Sequence, residues 1–304
     1  MVSLEKKRGR TLSEQPSSVS VVLPAHNEEA TVEAAVSAAR EGIRVLGVDG
    51  EVIVSASGCT DGTARLAEKA GAVVVTADAG KGAAIVRGVA AARHDVVTLM
   101  DADLEYYGDT PLVALLTEPV LRGVADATIA NLYWRPIYPD LWLNGFFVPL
   151  VGQLLPEALP KVGSTPWSGQ RSALRPLWPA TLPPGFTADL AITLHWNQHA
   201  KQLRPVLTDD WFNPIRPKPE LLAQDFRLLV EHAVARGRVT PARVPDLDAW
   251  FTRVEALIDA YDEDDPDPMG FERGLLETSL RELRERMSRP PQSSCAQAAT
   301  GSDR

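Results

Sequence analysis

The chain has 304 residues, with 31 Lys and Arg against 40 Asp and Glu, a formal net charge of −9. Hydrophobic residues make up 45% and charged residues 23%, as in ordinary soluble globular proteins, and the length allows one large domain or one domain with appendages. That negative balance excludes a general nucleic-acid binder, which needs a basic surface to displace counterions. An anionic ligand must instead be met by a local cluster of basic residues or by a metal ion. Two cysteines, Cys59 and Cys295, cannot build a disulfide framework, so a reducing cytoplasm is the expected compartment. The N-terminal residues lack the apolar run of a signal peptide. The most apolar later stretch, Leu141–Leu155, is broken by Asn144, Gly145, Pro149, Gly152 and Gln153, and is shorter than the ~20 residues of a spanning helix. No membrane partner is expected.

Residues 1–17 are polar and basic and read as a loose arm. Ser18–Leu23 is a short β-branched run, the pattern of a buried strand. Pro24 to Glu29 makes a polar elbow, and from Thr31 the apolar positions Val32, Ala35, Val36 and Ala39 recur at helical spacing. Strands at Glu51–Ser55, Ala72–Thr76 and Asp95–Met100 then alternate with helices at Asp61–Ala70 and Gly82–Ala92. Such alternation predicts a mostly parallel α/β sheet of nucleotide-binding type. Residues 104–218 scatter six tryptophans among prolines, which suits either irregular loops walling a ligand cleft or an ordinary loop-covered core. Helices are expected over 219–236, 246–262 and 271–287. The last carries Phe271, Leu275, Leu276, Leu280, Leu283 and Met287 on one face, for packing onto its own chain or in a homodimer. Beyond Met287 the composition reads as disordered.

Chemistry concentrates where the first four strands end. Asp101-Ala-Asp103 follows its strand directly, and residues i and i+2 of extended chain point the same way, so both carboxylates can face one site. Ligands of parallel sheets sit at the carboxyl ends of strands. Two acids there repel unless a cation or hydrogen bonds neutralise them, and all-oxygen ligation suits Mg²⁺ or Mn²⁺ held together with substrate phosphates. Pro24-Ala-His-Asn-Glu-Glu29, Ser55-Ala-Ser-Gly-Cys-Thr-Asp-Gly-Thr63 and Gly80-Lys-Gly82 close the other three strands.

This constellation resembles the GT-A glycosyltransferases of the family 2 type, and within them most closely the glucosyl-3-phosphoglycerate synthases, with their G-K-G turn before D-A-D-L. The resemblance is dense over residues 18–105 and continues in Tyr133-Trp-Arg-Pro136, Gly169-Gln-Arg171 and Ala188-Asp-Leu-Ala-Ile192. It implies a GT-A catalytic domain over 18–218, split into a nucleotide-binding half (18–105) and an acceptor half (106–218). A C-terminal helical extension (219–288) and a tail (289–304) follow. It also implies a UDP-sugar donor, glucose or a related hexose being moved, and a bound Mg²⁺ or Mn²⁺.

Carried over residue by residue, Pro24, Ala25, Asn27 and Glu28 would line the uridine pocket, with Ser57 touching the base and His26 and Ala102 beside the nucleotide. Lys81 would reach the diphosphate, Asp101 the ribose, and Asp103 the metal, with Asp101 as its neighbour. Gly169 and Arg171 would flank the transferred sugar or acceptor, and Asp189 would hold the donor sugar's hydroxyls. Arg216 closes over the diphosphate or is a surface arginine. Cys59 is expected to be a small packed residue, and His195, His199 and His232 to be packing or surface residues.

Where phosphoglycerate-using relatives place a phosphate-gripping G-R-V-T segment, this chain has Leu141-Trp-Leu-Asn144. An apolar segment cannot replace an arginine for phosphate. The expected acceptor is therefore not 3-phosphoglycerate but a less charged hydroxylated molecule (a sugar acid, a cyclitol or a nucleoside), with Trp142, Asn144, Trp167 and Arg171 around it. Retention is favoured over an inverting reaction with Asp189 as base. Weaker readings are a sugar-nucleotide pyrophosphorylase, for which the first strand lacks a Gly-rich loop, and a non-catalytic nucleotide-binding module.

Overall fold

Alternating β-branched residues build the centre of the sheet. In the computed structural model, described over residues 16–132, 141–212 and 220–290, strand β1 (Ser18–Ala25) buries Val19, Val21, Val22 and Leu23 completely. Each such side chain is worth about 1.5–3 kcal/mol relative to exposure. Strand β1 pairs in parallel with β2 (Asp49–Ser57) and β4 (Val96–Leu99), and β2 pairs with β3 (Val73–Ala77). The crossovers are helices α1 (Val32–Leu46), α2 (Thr63–Lys69) and α3 (Lys81–Ala91). Helix α1 lays Val32, Ala35, Val36 and Ala39 on the sheet. Gly47 then ends it in the left-handed conformation (φ 64°), which spares any side chain that strain.

The tryptophan- and proline-rich middle proves more regular than either expectation. After the short strand β5 (Glu105–Tyr106) come α4 (Leu112–Leu121), β6 (Ala127–Leu132), α5 (Val148–Leu154), α6 (Leu159–Val162), β7 (Arg171–Leu174), α7 (Ala188–His199), β8 (Leu203–Thr208) and β9 (Trp211–Phe212). The seven-stranded sheet runs β3-β2-β1-β4-β7-β6-β8, and β5 pairs with β9 as a separate ribbon. Strand β7 is antiparallel to both neighbours and sets Arg171 opposite Leu99. The beginning of β7 therefore lies beside the carboxyl end of β4. This is the mostly parallel, helix-flanked sheet of the GT-A fold.

Two compact units emerge, one from Met1–Pro136 with Pro160–Leu221, the other from Ile137–Leu159 with Leu222–Arg304. The second contains α8 (Leu221–Ala235), α9 (Val244–Asp259) and α10 (Pro268–Ser288). Its core joins Phe146 edge-on to Phe226 and Phe251, and Gly145 lies against Leu275. The apolar run of 141–155 is thus core packing. Of the stripe on α10, Leu275 and Leu283 are buried, whereas Phe271, Leu276, Leu280 and Met287 are half-buried. Among the described residues no helix is long and apolar enough to cross a membrane. The N-terminal arm over 1–15 and the tail beyond residue 290 lie outside the described residues.

Gly80 and Gly82 show why the third turn is Gly-Lys-Gly. A Cβ on Gly82 would lie 1.8 Å from the Pro183 carbonyl oxygen, and one on Gly80, whose φ is 127°, 2.4 Å from that of Pro184. The Gly82 amide donates to the Pro184 carbonyl at 3.0 Å, so contact is part of the design. Gly82→Ala should force that loop away from α3, at the ~1–3 kcal/mol typical of overpacking. Urea unfolding should show the lower midpoint; an unchanged midpoint would mean the loop is not held there.

Candidate functional site

The carboxyl ends of β1, β2 and β4, the start of α3 and the segment leading into β7 surround a cleft of about 650 Å³. Its lining includes Pro24, Ala25, His26 and Glu28 from the elbow after β1, Ser57 from β2, and Lys81 from α3. Asp101 and Asp103 enter after β4, Trp167 and Gly169 before β7, and Asp189 from the first turn of α7. These residues, expected from 165 positions of chain, converge.

The electrostatic centre is Lys81. Its Nζ lies 3.0 Å from Asp101 Oδ1 and 2.8 Å from Asp189 Oδ2, and only 13% of the side chain is exposed. Burial alone would push its pKa down, but the two carboxylates outweigh burial and hold it above the ordinary lysine value. A raised lysine pKa contributes stability that is full below the unfolded value and is lost only in strong alkali. The ammonium is therefore charged throughout the physiological range.

Behind Asp189 stands Arg171, fully buried. Its guanidinium donates to the carbonyls of Ser168 and Asp189 and to Thr193 Oγ1, lies 3.8 Å from Asp189 Oδ1, and stacks over Trp196. Burial lowers its pKa while Asp189 and Asp101 oppose that shift. This corrects the expectation that Arg171 touches sugar or acceptor. It is not among the residues that line the cleft, and its donors are engaged by Ser168, Asp189 and Thr193, so it positions Asp189 instead. Lys81 and Arg171 against Asp101 and Asp189 make a neutral set of four.

Asp101 is held by Gln170, which sequence reasoning missed. Gln170 Oε1 accepts from the Asp101 amide at 2.9 Å, and its Nε2 donates to Asp101 Oδ2 at 2.7 Å. A Cβ on Gly169 would collide with that same carboxylate at 2.4 Å, so the glycine makes room for it. Phe186, with Lys81 Nζ 5.8 Å from its ring centre, and Trp211 also line the cleft without a sequence signal to single them out.

Other expected residues are placed differently. Ala102 packs into the core while its two aspartate neighbours face the cleft, as alternation demands. Asn27, at φ 56°, does not line the cleft; its Oδ1 accepts from the Thr60 amide at 2.8 Å and braces the elbow against the second turn. Ser57 reaches the cleft, but its hydroxyl donates to the Asp78 carbonyl at 2.6 Å and accepts from the Gly80 amide, which leaves it poorly placed to read a base. His26 donates from Nδ1 to the Ser57 carbonyl at 2.6 Å and keeps its exposed edge toward the cleft. Cys59 is a packed turn residue, its thiol near the Ala25 carbonyl. Trp142 and Asn144 belong to the second unit and are not among the cleft lining; the Asn144 amide donates to Glu272 on α10. Arg175 is exposed, with its amide bonded to the Asp95 carbonyl at the other end of β4. Arg216 and Tyr133–Pro136 lie outside the described residues.

Residues 20–164 match the family model of glycosyl transferase family 2. The chain is homologous to the glucosyl-3-phosphoglycerate synthase of Mycobacterium tuberculosis H37Rv, 34% identical over 210 residues that cover 62% of this chain and 61% of the relative. It spans about three fifths of the length of the curated relatives it matches. A crystal structure of that M. tuberculosis enzyme with Mn²⁺, UDP-glucose and phosphoglyceric acid superposes with a TM-score of 0.59 at 28% identity, covering 75% of this chain and 85% of the other. Its complex with Mg²⁺ and UDP gives 0.58 at 26%, with 75% and 85% covered.

The donor set of the cleft fits a hard divalent ion. Asp103 lines the cleft with Asp101 two residues before it, and both offer only oxygen. Among the described residues no three His, Cys, Asp or Glu side chains are close enough together to hold a metal ion by themselves, so substrate oxygens and water would complete the shell, as is usual for Mg²⁺. Arg171→Met tests the buried set. Leaving Asp189 without its buried partner should cost about 3–5 kcal/mol in urea unfolding, whereas a loss under ~1 kcal/mol would place Arg171 outside the network.

Proposed function

We propose that this chain is a metal-dependent glycosyltransferase that moves glucose, or a related hexose, from UDP to a hydroxyl of a small acceptor. The observation that carries the reading is the convergence of Lys81, Asp101, Asp103 and Asp189 in one strand-end cleft. Pro24, Ala25, His26 and Glu28 form the uridine end. Lys81, at the first turn of α3, faces the diphosphate, and Asp103 holds Mg²⁺ or Mn²⁺. When bound, that ion neutralises charge that develops on the leaving diphosphate. Lys81 contributes a second positive charge there, already oriented by its two carboxylates. Asp189 lines the cleft beside Lys81, placed to receive a hydroxyl of the donor sugar. Asp189 Oδ2 is taken up by Lys81, which favours retention over a mechanism needing that carboxylate as a free in-line base.

The acceptor end is aromatic. Thr165, Trp167, Phe186 and Trp211 line it, and the described cleft carries Glu28, Asp101, Asp103 and Asp189 against the single ammonium of Lys81. Aromatic faces favour a weakly charged polyhydroxylated acceptor over a phosphorylated one. The second reading is transfer to 3-phosphoglycerate, supported by the homologous enzyme's name and by its complex with phosphoglyceric acid.

Two measurements test these statements. Asp103→Ala should lower turnover of UDP-glucose about a hundredfold or more, ~3 kcal/mol of transition-state stabilisation, with the fold intact by circular dichroism. Full turnover with unchanged metal dependence would refute the assignment. In an acceptor panel with UDP-glucose and Mn²⁺, neutral sugars or cyclitols should give a higher kcat/KM than 3-phosphoglycerate. Preferred transfer to 3-phosphoglycerate would overturn the acceptor class and leave the donor site standing.

A further inference from the structure

Helix α7 carries a second pair of groups that the sugar-transfer chemistry does not use. His195 and His199 are four residues apart and so share one helix face. Their ring centres are 4.4 Å apart with planes tilted by 42°. Metal–nitrogen bonds of about 2.0–2.1 Å place the ring centres of a chelating pair within about 5 Å of each other, so the observed spacing needs little adjustment. His199 is exposed and His195 half-buried, which leaves an open side for water.

His195 is also prepared as a ligand. The Leu177 carbonyl lies beside its ring, the kind of oxygen that metal-binding histidines ordinarily use as an outer contact to fix tautomer and ring direction. The same carbonyl accepts from Trp196 Nε1 at 3.0 Å, and Trp196 is fully buried, so the acceptor is held in place.

We propose that His195 and His199 form a two-imidazole site for a borderline transition-metal ion such as Zn²⁺ or Ni²⁺. Its nitrogen donors distinguish it from the carboxylate-lined cleft, and neither histidine lines that cleft. Water fills the remaining coordination positions.

The test titrates the full-length chain, without a polyhistidine tag, with NiCl₂ by calorimetry in millimolar Mg²⁺, which occupies any oxygen site. One Ni²⁺ per chain should bind, and Ni²⁺ should raise the Tm. His199→Ala, at an exposed position that leaves folding intact, should weaken binding at least about tenfold, the lower end of what losing a mere outer partner does. His195→Ala should do the same. Absence of Ni²⁺ binding below millimolar concentration would overturn the site. So would wild-type affinity in His199→Ala, or loss of binding in Asp103→Asn instead, which would put the ion in the cleft.

Discussion

Three remote stretches of chain meet because one ammonium needs two carboxylates. Lys81 opens α3, Asp101 follows β4, and Asp189 opens α7, and bringing any one of them in alone would strand a charge away from water. An unpaired buried charge is among the most expensive things a fold can contain. Arg171 balances the count from beneath, so the set is neutral and its geometry is determined from two sides. The Asp189 backbone carbonyl, and not only its carboxylate, receives the Arg171 guanidinium, which ties the first turn of α7 to β7. The orientation of the cleft's acids follows from that tie.

Backbone approach makes the arrangement sterically feasible. Gly80 and Gly82 let the start of α3 meet the Pro183-Pro184 loop, and Gly169 lets the Asp101 carboxylate lie against β7's approach. At each place a methyl group would sit closer than real atoms tolerate. On the nucleotide side, Asn27 and Thr60, Glu28 and Thr63, and Glu29 and Asp61 bond the elbow after β1 to the turn after β2. Polar residues that read in sequence as nucleotide contacts are in part braces between two loops. That division has a physical basis: a ligand-facing loop without regular structure must satisfy its own backbone groups before it can offer others.

The fold was legible as far as residue 103 because each element there has one dominant signal, β-branched runs for strands and 3.6-residue spacing for helices. The acids, Lys81 and the glycines were legible because charge at a strand end is informative by itself. What the sequence hid depends on pairing across distance. Gln170 has no periodicity or charge to mark it; its role exists only because antiparallel β7 lies beside β4, joining positions 69 residues apart. Trp142 and Asn144 sit in an apolar run that reads equally as cleft wall or core. The bond from Asn144 to Glu272, 128 residues away, decides for core. Arg171 misled for a related reason: an arginine in a motif looks like a ligand contact until its burial is known.

The choice of lysine over arginine at position 81 then has a reason beyond resemblance. A guanidinium is a planar fork that grips one carboxylate in two places, whereas an ammonium is a compact charge with three donors on rotatable bonds. Two donors are used by Asp101 and Asp189, which approach from different elements. A third donor direction remains. In the proposed transfer, rotation about the stem would let the same charge lean toward the leaving diphosphate without dismantling the pairs that hold the side chain in the cleft. Lysine would there serve as counter-ion to the resting acids and as partner to the leaving group with one small movement.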